Sequence, residues 1–106
     1  MSKPEIYWPG ASGVNYGYWI VPLNGNFRTD PGNYIFAKQV AQDRWVPVYV
    51  GQTSDLEGRL SYHEKEACAL RHGATHIHAH VSTAGEDARL REEADLIERW
   101  QPPCNG

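Results

Sequence analysis

Three ionisable residues sit where a helix should turn apolar side chains inward. Arg59 and His63 lie four apart in a stretch whose Leu56, Leu60, Ala67 and Leu70 recur at helical spacing, so the two polar groups share one face, a turn apart. Glu93 stands beside Leu90, Ala94 and Ile97 in a later stretch, again on the side expected to face the core. A carboxylate there is costly unless a cation or hydrogen-bond donors meet it. If both helices pack on one sheet, a guanidinium, an imidazole and a carboxylate converge, and strand residues complete the site. Each residue also has a plainer explanation. Arg89, one turn back, can pair with Glu93, His63 can be a hydrogen-bonded core histidine, and Tyr34 and Tyr49 taken singly are packing residues.

Two further groups carry chemistry. His76, His78 and His80 alternate, so their imidazoles project from one strand face. Imidazole suits zinc, but three ligands along one strand seldom converge without a second element. A solvated or nucleic-acid-facing strand is the preferred reading. Tyr7, Trp8, Tyr16, Tyr18, Trp19 and Phe27 can stack unpaired bases, although covering the sheet is the simpler role.

The elements that must position these residues follow from local patterns. Residues 1–31 are punctuated by Pro4, Pro9, Gly10, Gly13, Gly17, Pro22, Gly25 and Pro31, which forbids a long helix and predicts an irregular arm packed on the domain, with a short strand near Tyr16–Val21. Residues 32–106 form the domain proper. Tyr34–Gln39 and Trp45–Val50 read as an antiparallel pair, with Pro47 at an edge or bulge. Ser54 and Glu57 have capping-box spacing, so a helix starts there and runs to a left-handed stop at Gly73. Thr75–Ser82 alternates as a third strand, and a last helix spans about Asp87 to Trp100 before Pro102 and Pro103. The order is ββαβα, a small α+β domain with a mostly antiparallel sheet flanked by helices.

Bulk properties narrow the function. At 106 residues, 41% hydrophobic and 22% charged, the chain supports one core and is too evenly mixed for disorder. No apolar run approaches the roughly 18 residues of a membrane span, and the N-terminus lacks a signal peptide's apolar stretch. Cys68 and Cys104 are far apart, so reduced thiols in the cytoplasm are expected rather than a disulfide scaffold. A net charge of −3 argues against tight, sequence-independent nucleic-acid binding, unless a local basic patch or a divalent metal assists.

Taken in order, the motifs resemble those of the GIY-YIG nuclease family. Gly32-Asn33-Tyr34 matches its first tripeptide and Tyr49-Val50-Gly51 its second. The segment from Gly51 to Leu60 resembles the one that delivers the family's arginine, here Arg59. His63 matches a histidine used in several members, and the helix at Glu93 resembles the one that carries the metal-binding glutamate. Asn105 falls where a terminal asparagine is common. Glu92 competes with Glu93, but the family spacing selects Glu93. Two departures stand out: Asn33 replaces an aliphatic residue, and the motif tyrosines are 15 positions apart, which implies a longer hairpin.

The resemblance implies a metal-dependent endonuclease acting on DNA, with one Mg²⁺ or Mn²⁺ at Glu93 and Arg59 on the scissile phosphate. Tyr34 would be the general base and Tyr49 an orienting group. His63 would share or relay the proton, and Asn105 would hold geometry. The products would be a 5′-phosphate and a 3′-hydroxyl. Many members add a separate DNA-binding domain, for which 106 residues leave no space. Single-stranded or structured DNA is therefore the expected substrate, with RNA an open possibility. The alternative is a non-catalytic nucleic-acid- or protein-binding module on the same fold. The sequence does not fix the oligomeric state.

Overall fold

A computed structural model describes residues 3–106. Five strands, β1 (Ile6–Pro9), β2 (Asn15–Pro22), β3 (Gly32–Ala41), β4 (Arg44–Thr53) and β5 (His76–Val81), form one sheet in the order β1-β2-β5-β3-β4. Every neighbouring pair is antiparallel. Three helices complete the chain: α1 (Leu56–Ser61), α2 (Glu66–Arg71) and α3 (Glu86–Trp100). This is the expected α+β domain. The first 31 residues are less irregular than their glycines and prolines imply, because they supply two strands, and β2 pairs directly with β5. No described helix is long and apolar enough to cross a membrane.

The period of two along each strand sorts side chains onto two buried faces. One face carries Tyr34, Phe36, Val48, Ile77 and Ala79, covered by Leu56 and Ala69. The other carries Ile35, Ala37 and Val50, with Trp8, Tyr18 and Leu96 packed over them. Pro47 sits at an irregularity, as its missing N–H requires. Tyr49 pairs with Phe36 and Pro47 with Ala37, so Val48 is the extra residue of a bulge on edge strand β4.

The long first helix predicted from Ser54 to Gly73 is broken. Asp55, not Ser54, caps α1, its carboxylate accepting from the Gly58 amide. Tyr62 is extended, and the chain re-enters a helix only at Glu66. The break changes the phase of everything after it, so Ala67 and Leu70 are exposed while Ala69 is buried. Gly73 does take the left-handed conformation, at φ 84°. In α3 the inward stripe is Arg89, Glu92 and Leu96, whereas Leu90 and Ala94 face outward.

The two cysteines also depart from expectation. Cys68 on α2 is bonded to Cys104 in a disulfide that spans 36 positions and ties the helix to the C-terminal tail.

Candidate active site

Tyr34 is seated by a glycine on the neighbouring strand. Tyr34 lies opposite Gly51 across β3 and β4, and any Cβ on Gly51 would overlap the Tyr34 ring and hydroxyl. Gly32 is needed for a similar reason, since a Cβ there would strike the His80 carbonyl and Leu56. The tripeptides therefore encode close packing as well as reactive groups. Tyr34 is buried, with its ring centroid 6.2 Å from that of Tyr49.

His63 reaches this pair from the break between α1 and α2. Its ring packs edge-on at 5.4 Å from Tyr34, 5.2 Å from Phe36 and 5.1 Å from Tyr49. Its Nε2 lies 2.5 Å from Tyr34 Oη, and its Nδ1 accepts from the Lys65 amide at 3.0 Å. Burial first, and Arg59 second, lower its pKa to about 4, so the ring is neutral at neutral pH. With Nδ1 acting as an acceptor, the ring proton belongs on Nε2, and His63 donates to the Tyr34 oxygen. The histidine is thus functional-looking and buried at once, and the two readings offered by the sequence coincide.

Arg59 is half-buried beside both tyrosines, close enough for its charge to oppose the effect of burial on their pKa values. Its guanidinium also holds Glu64 in a fork, with Nη1 to Oε2 at 2.6 Å and Nη2 to Oε1 at 2.7 Å. That is the planar, bidentate geometry a phosphate would take. The Arg59 guanidinium accordingly lowers the Glu64 pKa to about 2. Glu64 was invisible in the sequence, because a five-residue separation brings side chains together here only through the helix break.

Glu93 lies where α3 packs on β4. It is half-buried, and burial raises its pKa against a hydrogen bond from the Gln52 backbone. Its charge contributes to the raised pKa values of Tyr34 and Tyr49, for both of which burial is the leading cause. Arg89 does not supply the ion pair considered above. It turns instead to Gln52 Oε1 at 3.1 Å and the Ser82 carbonyl at 3.4 Å. Glu92 points elsewhere too, accepting from Tyr18 Oη at 2.5 Å and meeting His80 Nε2 at 2.8 Å.

Two asparagines brace the arrangement. Asn105 closes a pair of hydrogen bonds on Val50, accepting from its amide at 2.8 Å and donating to its carbonyl at 2.9 Å, immediately beyond Tyr49. Asn33, the unusual middle residue of the first motif, is fully buried and donates to the Arg89 carbonyl at 3.0 Å. It pins α3, which carries Glu93, to β3, which carries Tyr34. Its polarity was legible in the sequence, but its partner was not.

The structure therefore brings Tyr34, Tyr49, Arg59, His63 and Glu93 together and leaves the alternating histidines outside. His76 packs against Trp45, His78 accepts from Trp8 Nε1 at 2.9 Å, and His80 turns to Glu92. Each has its own partner; His78 is wholly buried, whereas His76 and His80 are only partly covered. Among the N-terminal aromatics, Trp8 and Tyr18 are core residues.

The same frame recurs in solved structures. The GIY-YIG N-terminal endonuclease domain of UvrC from Thermotoga maritima, bound to its catalytic divalent cation magnesium, matches with a TM-score of 0.60 and 26% identity, over 74% of this chain and 86% of that one. A point mutant of that domain, also bound to its catalytic divalent cation, matches with a TM-score of 0.59 and 27% identity over the same shares. The chain is structurally homologous to this GIY-YIG endonuclease domain, consistent with membership of the GIY-YIG family. No protein-family model matches it, and neither does any curated protein sequence. The likeness accordingly rests on the fold together with the two tripeptides, and it supports nuclease-like activity at the family level.

Proposed function

We propose that this GIY-YIG domain is a divalent-metal-dependent endonuclease that hydrolyses phosphodiester bonds in DNA. The observation that carries the reading is the convergence of two tyrosines, a neutral histidine, an arginine fork and a half-buried carboxylate on a frame shared with a cation-bound endonuclease domain.

Glu93 is the residue that would hold one Mg²⁺ or Mn²⁺. It offers hard oxygen ligands, and no ion pair reaches it among the described residues, so a cation would relieve the cost of its burial. Such an ion, when bound, supplies Lewis-acid stabilisation of charge on the phosphate. The remaining work falls to the chain. Arg59 would exchange Glu64 for the scissile phosphate on the same fork. Tyr34 would take the proton of the attacking water. Burial keeps it a phenol at neutral pH, and Glu93 is one of the charges that hold its pKa up. Neutralising Glu93 therefore favours the phenolate, and the Nε2–H of His63 is placed to stabilise it. Tyr49 would orient water or phosphate, while Asn105 keeps its strand in place. The products would be a 5′-phosphate and a 3′-hydroxyl.

The same sheet face supports single-stranded or irregular DNA as the preferred form. Trp19, Ala79 and Tyr34 occupy one row across β2, β5 and β3. A cavity of about 670 Å³ beside that row is lined by Trp19, Phe27 and Arg28, side chains suited to an unpaired base and its phosphate. A cytoplasmic setting belongs to the same proposal.

Cleavage of single-stranded, duplex and branched DNA and of RNA, with Mg²⁺, Mn²⁺ or EDTA, is the direct test. Metal-dependent cleavage that Glu93→Ala abolishes without altering the fold is the expected result. Binding without cleavage under every condition would instead identify a non-catalytic module.

A further inference from the structure

Away from Glu93, one other group of side chains has the composition of a metal centre. Cys68, His72 and Cys104 place their ligand atoms within 4.8 Å of one another. Cys68 and His72 are four apart, on α2 and at its C-cap, which stacks them on one side of the helix end. Cys104 is presented from the tail by its amide, which donates to the Val48 carbonyl at 3.0 Å. The two sulfurs form the disulfide, and the exposed His72 imidazole beside them has no hydrogen-bond or ion-pair partner among the described residues.

We propose that the reduced protein binds one Zn²⁺ through Cys68, His72 and Cys104, with a water or an added ligand in the fourth position. Two thiolates and an imidazole are soft and borderline donors that select zinc over magnesium. Little movement is needed. Covalently bonded sulfurs sit ~2 Å apart, and two thiolates on a tetrahedral zinc with bonds of ~2.3 Å sit ~3.8 Å apart. The tail must yield by less than ~2 Å, and His72 is already beside the gap.

The chemistry balances without a hidden oxidant. A phosphine reductant takes up the oxygen of one water and converts the disulfide to two thiols. Zinc then displaces two thiol protons and accepts the neutral imidazole. The cross-link between α2 and the tail survives in either state, as S–S or as S–Zn–S. That matters in a reducing compartment, where thiols stay open. The tail it secures hydrogen-bonds to Val48 and Val50, on either side of Tyr49.

The full chain, reduced with a phosphine and desalted without oxygen, should be titrated first with Co²⁺ and then with Zn²⁺. One equivalent of Co²⁺ should give a thiolate charge-transfer band and tetrahedral visible bands, bleached by one equivalent of Zn²⁺, while the oxidised protein gives neither. His72→Ala should weaken Zn²⁺ affinity on the order of 10-fold or more through loss of one ligand, and Cys104→Ser should remove most of the charge-transfer intensity. Glu93→Gln should leave the spectrum unchanged, which separates this site from the nuclease centre. If Cys104→Ser fails to fold, Cys68→Ser and His72→Ala decide the matter. The proposal fails if reduced, folded wild type lacks the band, or if affinity is unchanged in His72→Ala.

Discussion

Tyr34 and His63 share the contact on which the proposed chemistry turns, and its polarity is set by the Lys65 amide. Because that amide occupies Nδ1, the neutral imidazole must present a proton to the Tyr34 oxygen. His63 then stabilises a phenolate rather than collecting the tyrosine's proton. Removing it in His63→Ala should slow cleavage about 10- to 100-fold, the value of a hydrogen bond to a charged oxygen. The lost donor also raises the Tyr34 pKa, so the rising limb of the pH–rate profile, which reports deprotonation of the base, should move to higher pH. A profile that keeps its position would show that His63 does not act through Tyr34. Arg59→Ala should cost on the order of 10² to 10³ in turnover, as expected for one transition-state donor, and a wild-type rate would remove Arg59 from the site. At this scale the tyrosines were readable because the motif names them. Glu64 was not, since its meeting with Arg59 depends on a backbone break that no periodicity announces. The family spacing had already selected Glu93 over Glu92, and the position of α3 shows how the two part, because adjacent helix residues point about 100° apart.

The elements place these residues through a few specific joints. A continuous helix from Ser54 to Gly73 would have carried His63 along one stripe with Arg59. The extended Tyr62 instead lets His63 drop between Phe36 and the two tyrosines. The helical spacing of Leu56 and Leu60 and the inward placement of His63 were legible, but the break that seats the histidine was not. The tail is the other joint. Asn105 pairs with both the amide and the carbonyl of Val50, so Asn105→Ala deletes two hydrogen bonds at the edge strand next to Tyr49. It should lower stability by about 1–2 kcal/mol in urea denaturation. Its effect on kcat should exceed what the folded fraction explains, while KM changes little. Equal losses in activity and folded fraction would make the residue purely structural. The Cys68–Cys104 bond anchors the same tail, and spacing alone did not reveal it, because a separation of 36 residues is compatible with free thiols or a bridge.

The whole molecule keeps two neutral imidazoles out of water, one on each face of the sheet. His63 supports the tyrosines on the α1–α2 face, and His78 accepts from Trp8 Nε1 under the β1 and α3 layer. Burial is the leading cause that lowers each to about 4 from an ordinary value near 6.5, with Arg59 and His76 respectively adding repulsion. The unfolded chain therefore takes up these protons first as pH falls. The stability they lend is complete above about pH 6.5 and is lost between there and about pH 4, at a cost on the order of 3 kcal/mol per imidazole. This alternating-histidine strand looked like a surface feature in sequence because β1 and β2, drawn from a glycine- and proline-rich arm, gave no long-range signal that they would cover it. Urea midpoints measured from pH 7 to pH 4.5 should fall steadily. His78→Gln, which keeps an acceptor for Trp8 but cannot titrate, should be less stable at pH 7 yet show a shallower slope. The Glu64 and Asp95 carboxylates, whose pKa values are lowered by hydrogen bonds to Arg59 and to Ser12 and Tyr16, contribute only at lower pH. A slope identical in wild type and His78→Gln would mean that the His78 imidazole takes up its proton in the folded state at its ordinary pH, and that the covering layer opens to water.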